Sequence, residues 1–169
     1  PQKGRYRQFH QVNYEALGSE NPILDAEAVV LLYECLKELG LRRLKVKLSS
    51  VGDPEDRARY NAYLREVLSP HREALSEDSK ERLELNPMRI LDSKNPAMQA
   101  LIEAAPSLLN HLGAASLAHF EGVQQVLKDV GIPYSINPRL VRGLDYYNLT
   151  VFEWVTDRLG AQGTVCGGG

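Results

Sequence analysis

The sequence predicts an α+β fold, with strand-forming segments towards both ends and a long helical stretch between them. Three observations carry this. Residues 5–16 and 144–155 are rich in aromatic and β-compatible side chains. Leu44, Val46 and Leu48 alternate with Lys45 and Lys47 directly after a helical pattern, which marks a strand with one apolar face. Between Asp53 and Val130 apolar residues recur at helical spacing, punctuated by Pro70, Pro87, Pro96 and Pro106.

In chain order, RYRQFHQVNYEA at 5–16 reads as a strand with Phe9, Gln11 and Glu15 on one face, ended by Gly18 and Pro22. A helix is expected from Pro22 to Leu39, its apolar stripe formed by Leu24, Ala28, Leu31, Leu32, Cys35 and Leu39. Gly40 supplies its C-terminal stop. After the strand around Val46, Asp53 as cap, Pro54 at the first position and Glu55 and Asp56 in the first turn form a strong helix start. Residues 53–133 are expected to be a helical insertion. Its last helix, near Ser116 to Val130, aligns Leu117, Phe120, Val123, Leu127 and Val130 ahead of Gly131. Residues 1–52 and 134–169 then form the two parts of a core. In the second part Tyr134 and Ile136 make a short strand and Leu144–Val155 a long one with both faces covered. A turn follows, and Gly163–Cys166 starts a return strand.

Composition excludes several classes. With 43% hydrophobic and 25% charged residues the chain is neither disordered nor membrane-embedded, and no apolar run approaches the ~18 residues of a membrane span. The first ten residues carry no signal-peptide pattern. Twenty basic against twenty-two acidic residues leave a net charge of −2, so no global nucleic-acid footprint exists. Two cysteines, Cys35 and Cys166, cannot build a disulfide framework or a Cys-rich zinc site. Cys35 is expected in the core, and a reducing cytoplasm fits this usage. The opening inside a basic loop and the final Gly167–Gly169 suggest an internal piece of a longer chain.

Two clusters could carry chemistry. Residues 3–15, KGRYRQFHQVNYE, combine a cationic loop suited to phosphates with Phe9, which could stack on a nucleobase, and with Gln11 and Glu15 as polar substrate contacts. A solvated amphipathic strand explains the same residues. Residues 141–147, VRGLDYY, set an arginine, an aspartate and two tyrosines in a strand that otherwise reads as buried, where Arg142 needs an anion or carboxylate partner. An internal Arg142–Asp145 pair is the plainer explanation, and spacing does not decide between them. There is no Walker loop, dinucleotide fingerprint, nucleophile elbow or zinc signature.

Resemblance does decide. KGRYRQFHQ at 3–11 resembles the motif 2 loop and strand of histidyl-tRNA synthetases, RGLDYYNLTVFEW at 142–154 resembles their histidine-specific signature, and GAQGTVCGGG at 160–169 resembles their glycine-rich strand. All three stand in the family's order, with a helical insertion between the first two, so the resemblance covers the whole chain. Leu149 departs from it, standing where many members place arginine.

The resemblance implies part of the class II synthetase antiparallel sheet flanked by helices, in a cytoplasmic homodimer. The family joins L-histidine to tRNA(His) through an adenylate made from ATP with Mg2+. By the same resemblance, Arg5 contacts ATP phosphates, Phe9 stacks on adenine and Gln11 holds the amino acid. Glu15 and Tyr147 take the two imidazole nitrogens, Arg142 sits by the α-phosphate, Tyr146 shapes the pocket, and Gly168 and Gly169 admit the ligand to bare backbone. No residue is expected to ligate a metal. The insertion would lie near the tRNA acceptor stem, with Arg57, Arg59, Arg65 and Arg72 as phosphate contacts or as partners of neighbouring carboxylates. A competing reading is a synthetase-like regulatory subunit of ATP phosphoribosyltransferase, against which the complete set of pocket residues argues. An isolated RNA-binding module would leave both flanking motifs without a purpose.

Overall fold

A computed structural model of the chain describes residues 6–93, 95–141, 146–158 and 163–169. Helix α1 spans Pro22–Glu38. Asn21 caps it by accepting from the Ile23 N–H at 3.0 Å, and Pro22 occupies the first turn, where its missing N–H costs nothing. At the other end Gly40, at φ +80°, donates to Lys37 O while Leu41 donates to Leu36 O, a Schellman closure. Strand β1 (Lys45–Ser50) follows.

Helix α2 (Pro54–Leu68) starts at Asp53, whose side chain accepts from the Asp56 N–H at 2.7 Å while Asp56 reaches back to the Asp53 N–H. Each proline then does what its missing donor requires. Pro70 lies in a 3-10 turn at Ser69–Ala74, Pro87 and Pro96 open further 3-10 turns, α3 (Glu77–Leu85) sits between the first two of these breaks, and α4 (Gln99–Ala104) follows the third. Helix α5 covers Ala114–Asp129, and Gly131 at φ +72° ends it. Strands β2 (Tyr134–Ile136), β3 (Thr150–Val155) and β4 (Thr164–Gly168) complete a sheet of order β2-β1-β3-β4. The expected antiparallel pairing holds for β1 with β3 and β3 with β4, whereas β2 runs parallel to β1.

Two cores organise these elements. One buries Val29, Leu36, Phe120, Val123 and Leu127 of α1 and α5 against Val46, Leu48, Phe152 and Trp154 of the sheet, with Tyr33 stacked on Trp154 at 5.4 Å. The other gathers α2, α3 and the 3-10 turns around Tyr60, Leu64, Leu68, Ile90 and Met98, and meets the sheet at Val51 and Val151. Burial pushes the Tyr60 hydroxyl up to about 12, although the charge of Arg139 pulls the other way; the neutral hydroxyl donates to Pro106 O. The span 53–133 thus divides between two cores, because α5 packs with α1 on the sheet. No helix among the described residues is long and apolar enough to cross a membrane.

Four expectations need correction. Residues 6–20 form no strand; they are exposed throughout, and none of the four strands pairs with them. An extended segment becomes a strand only when a neighbour satisfies its backbone groups, and β-compatible side chains cannot supply one. The strand expected from Leu144 begins at Thr150, since Leu149 has φ +55° and turns the backbone out of the ladder; Leu144 and Asp145 lie outside the described residues. Cys35 is exposed, because α1 turns Ala26, Val29 and Leu36 inward and leaves Leu31, Cys35 and Leu39 outside. On α5, Phe120, Val123 and Leu127 are buried as expected, while Leu117 and Val130 at its ends are exposed.

Candidate active site

The residues singled out by sequence fall into two regions. At the head of β3, Tyr146 and Tyr147 stack with ring centroids 4.7 Å apart. Tyr146 is 73% exposed, while Tyr147 is half-buried against the helical core. The end of β4 lies alongside. A Cβ on Gly169 would run into Thr150 O and come within 2.8 Å of Tyr147 Cδ1, and one on Gly168 would sit 3.1 Å from the Phe152 ring. Only glycine fits at 169, so the backbone just past the end of β4 passes directly against Tyr147, whereas a side chain at 168 would require the Phe152 ring to give way.

A knot of hydrogen bonds holds this corner. Leu149 donates to Gly52 O at 3.0 Å and accepts from Val51 N–H at 2.7 Å and from the Ser50 hydroxyl at 3.0 Å. Gly52, at φ +64°, donates to Ser50 Oγ at 3.1 Å. Arg57 reaches in from α2, its Nη1 donating to Tyr147 O at 2.9 Å and to Gly52 O and Asn148 Oδ1 at 3.2 Å each. Sequence reasoning missed this group. The available signal was Ser50-x-Gly52-Asp53-Pro54, a turn tight enough to bring the first turn of a helix back onto the strand end.

The second region is the segment from Tyr6 to Glu20. Phe9 is 68% exposed, and Gln11 and Glu15 are also exposed; Gln11 donates to Asn13 Oδ1 at 2.9 Å. The structure therefore joins Tyr146, Tyr147, Gly168 and Gly169 but buries none of Phe9, Gln11 and Glu15 with them. Arg5 and Arg142 lie outside the described residues. A shallow cavity of about 290 Å3, lined by Tyr33, Lys37, Arg42 and Arg43 among others, opens at the far end of α1 and shares no residue with either region.

The helical region commits most of its candidate phosphate contacts internally. Arg57 is used as described, Arg65 donates to Leu83 O and Glu84 O at the end of α3, and Arg72 pairs with Glu84 at 2.7 Å. Arg59 pairs with the buried Asp56 while keeping 57% of its side chain exposed. Of the carboxylates expected beside these arginines, Glu55, Asp56, Glu66 and Glu73, these contacts use Asp56, with Arg59, while Arg72 pairs with Glu84 instead.

Comparison with known proteins gives this arrangement its context. A family model described as histidyl-tRNA synthetase matches residues 1–169. A histidine–tRNA ligase of Thermus thermophilus is 72% identical over 171 residues, covering 100% of this chain and 41% of that protein. The ligase of Dechloromonas aromatica is 61% identical over 169 residues, covering 100% and 39% respectively. The crystal structure of apo S. aureus histidyl-tRNA synthetase superimposes with a TM-score of 0.72 at 38% identity, covering 91% of this chain and 37% of that one. A Bacillus halodurans structure described as an ATP phosphoribosyltransferase regulatory subunit/histidyl-tRNA synthetase shares the fold, at 23% identity and a TM-score of 0.52 over 90% of this chain and 43% of that one.

The sheet, its helical backing and these matches define the class, the class II aminoacyl-tRNA synthetases. Within it, the chain belongs to the histidyl-tRNA synthetase family. It spans about 40% of the length of the curated relatives it matches.

Proposed function

We propose that this chain is the part of a histidine–tRNA ligase that holds the histidine side chain and one face of ATP. The observation that carries the reading is the corner at the head of β3. There, in a chain related over its whole length to such ligases, Tyr147 of the histidine signature lies against the bare backbone of Gly169.

Neutral imidazole presents one donor and one acceptor nitrogen, so recognition needs a partner for each. Glu15 accepts from the ring N–H and the Tyr147 hydroxyl donates to the other nitrogen. An analogue lacking either nitrogen then leaves a polar group unpaired, which is how the site discriminates. Gln11 holds the amino acid, and Tyr146 closes the pocket beside Tyr147. Phe9 stacks on adenine and Arg5 forks onto the phosphates. The histidine carboxylate attacks the α-phosphorus in line, forming a carboxyl–phosphate anhydride and releasing pyrophosphate. Arg142 stabilises charge at that phosphate, and the work is positioning and electrostatics. Magnesium bound with ATP would offset phosphate charge and would be held largely by phosphate and water, with no residue of this chain assigned to it. A hydroxyl of the terminal ribose of tRNA(His) then displaces AMP.

The helical region would face the acceptor stem in the homodimer. Arg59 and Arg72, with side chains 57% and 50% exposed, are the arginines best able to meet phosphates. The division into two cores supports ending the insertion near Gly113, with α5 returning to the sheet.

Histidine-dependent exchange of pyrophosphate into ATP, measured on a full-length protein carrying this chain, tests the reading. The expected result is exchange with histidine alone among amino acids, falling at least about 100-fold in Arg142→Ala. A folded dimer without exchange would instead indicate a regulatory protein that keeps the fold.

A further inference from the structure

Arg57 is oddly placed for a surface arginine. It lies in the first turn of α2, four residues after the cap Asp53, where the helix dipole disfavours a cation. Its side chain is half-buried, and one guanidinium nitrogen serves three acceptors on the turn before β3, namely Tyr147 O, Gly52 O and Asn148 Oδ1. Leu149, just before β3 begins at Thr150, is held by Val51, Gly52 and Ser50 in the left-handed conformation at φ +55°, which L-residues avoid, while the carbonyl of Tyr147 accepts from Arg57. Gly52 makes the close approach possible, because a Cβ there would meet Asp56 Cβ at 2.6 Å.

We propose that Arg57 is a positioning residue for histidine recognition: it ties the helical region to the backbone of Tyr147 and so sets where the Tyr147 hydroxyl meets the imidazole. The proposal rests on the ligase reading above. Charge-assisted bonds to carbonyls are short-range and directional, so losing them releases the turn by a fraction of an ångström to an ångström, and that matters for a hydrogen bond. Arg57 touches no substrate; it acts through Tyr147. It also adds a polar tie between the helical region and the amino-acid pocket, beside the packing of Tyr147 on the helical core.

The experiment is pyrophosphate exchange on the full-length protein with Arg57→Ala, Arg57→Lys and Asn148→Ala, measuring KM for histidine and for ATP separately. Arg57→Ala is expected to raise the histidine KM about tenfold or more while the ATP KM stays within about twofold. The penalty against a histidine analogue lacking one ring nitrogen should shrink. Arg57→Lys, a point donor that cannot serve three acceptors, is expected to recover only part of the loss. Asn148→Ala, which removes one acceptor, should give a smaller rise of about twofold to threefold. If Arg57→Ala does not fold, the other two variants carry the same comparison. Unchanged KM for histidine in variants that merely melt earlier, or equal rises for both substrates, would overturn the positioning role. An unmutated protein without histidine-dependent exchange would overturn the ligase reading and this proposal together, whereas normal exchange with a flat Arg57 series overturns the proposal alone.

Discussion

Asp56 is fully buried yet ionised, and its surroundings explain how. Burial alone would raise its carboxyl, but hydrogen bonds from Ser116, Gly113 and Asp53 and the charge of Arg59 outweigh burial and hold it below the ordinary 3.8. The folded state therefore favours the carboxylate more than the unfolded chain does. Its stabilisation is present above pH 3.8 and is lost as pH falls through the lower folded value. Asp56→Asn keeps the shape but removes the charge. Urea unfolding at neutral pH should show a loss of about 1–3 kcal/mol, with the gap to the unmutated chain closing as pH falls below 3.8 and through the lower folded value. A gap that does not change with pH would mean the carboxylate form contributes nothing. The capping role of Asp53 was legible in the sequence because a cap is a local pattern. The tie from Asp56 to Gly113, 57 residues away, was not, since nothing local marks the partner.

Helix α1 shows what periodicity can and cannot deliver. Its ends were legible, because proline and glycine have steric consequences that do not depend on the rest of the fold. Its inward face was not. The run LDAEAVVLLYECL carries apolar residues nearly all round, so two stripes fit the spacing, and the packing of α5 and the sheet selects the one through Ala26, Val29 and Leu36. Where α1 meets α5, a Cβ on Gly122 would lie 2.9 Å from Pro22 Cγ, so these helices sit in a fixed close register. The expected consequence is an asymmetry between neighbours. Cys35→Ser, on the exposed side, should change stability by less than about 0.5 kcal/mol, while Val29→Ala should cost on the order of 2 kcal/mol in chemical denaturation. Similar losses at both positions would mean that the exposed stripe is covered in solution.

On the scale of the whole molecule, the two halves of the candidate site differ in how the fold holds them. The half around Tyr147 is fixed by a sheet, a glycine contact and Arg57, all supplied by residues far apart in sequence. The half from Phe9 to Glu15 was legible as a motif, yet it gains no structure from the other elements described. Tyr6, Phe9, Val12 and Leu17 are 68% to 99% exposed, so apolar surface remains uncovered along it. A motif is a statement about side-chain order, whereas a strand also needs a backbone partner, and the two came apart here. On the proposed reading, imidazole recognition needs both halves desolvated together, because an exposed carboxylate such as Glu15 prefers water to a ligand N–H. The 169-residue chain by itself should therefore show no saturable histidine binding up to millimolar concentration in a calorimetric titration. The full-length protein should bind, and histidine with ATP should protect residues 6–20 from proteolysis. Saturable binding by the 169-residue chain would show that this segment closes over Tyr147 without help, and would move the missing partner of the predicted strand into the chain itself.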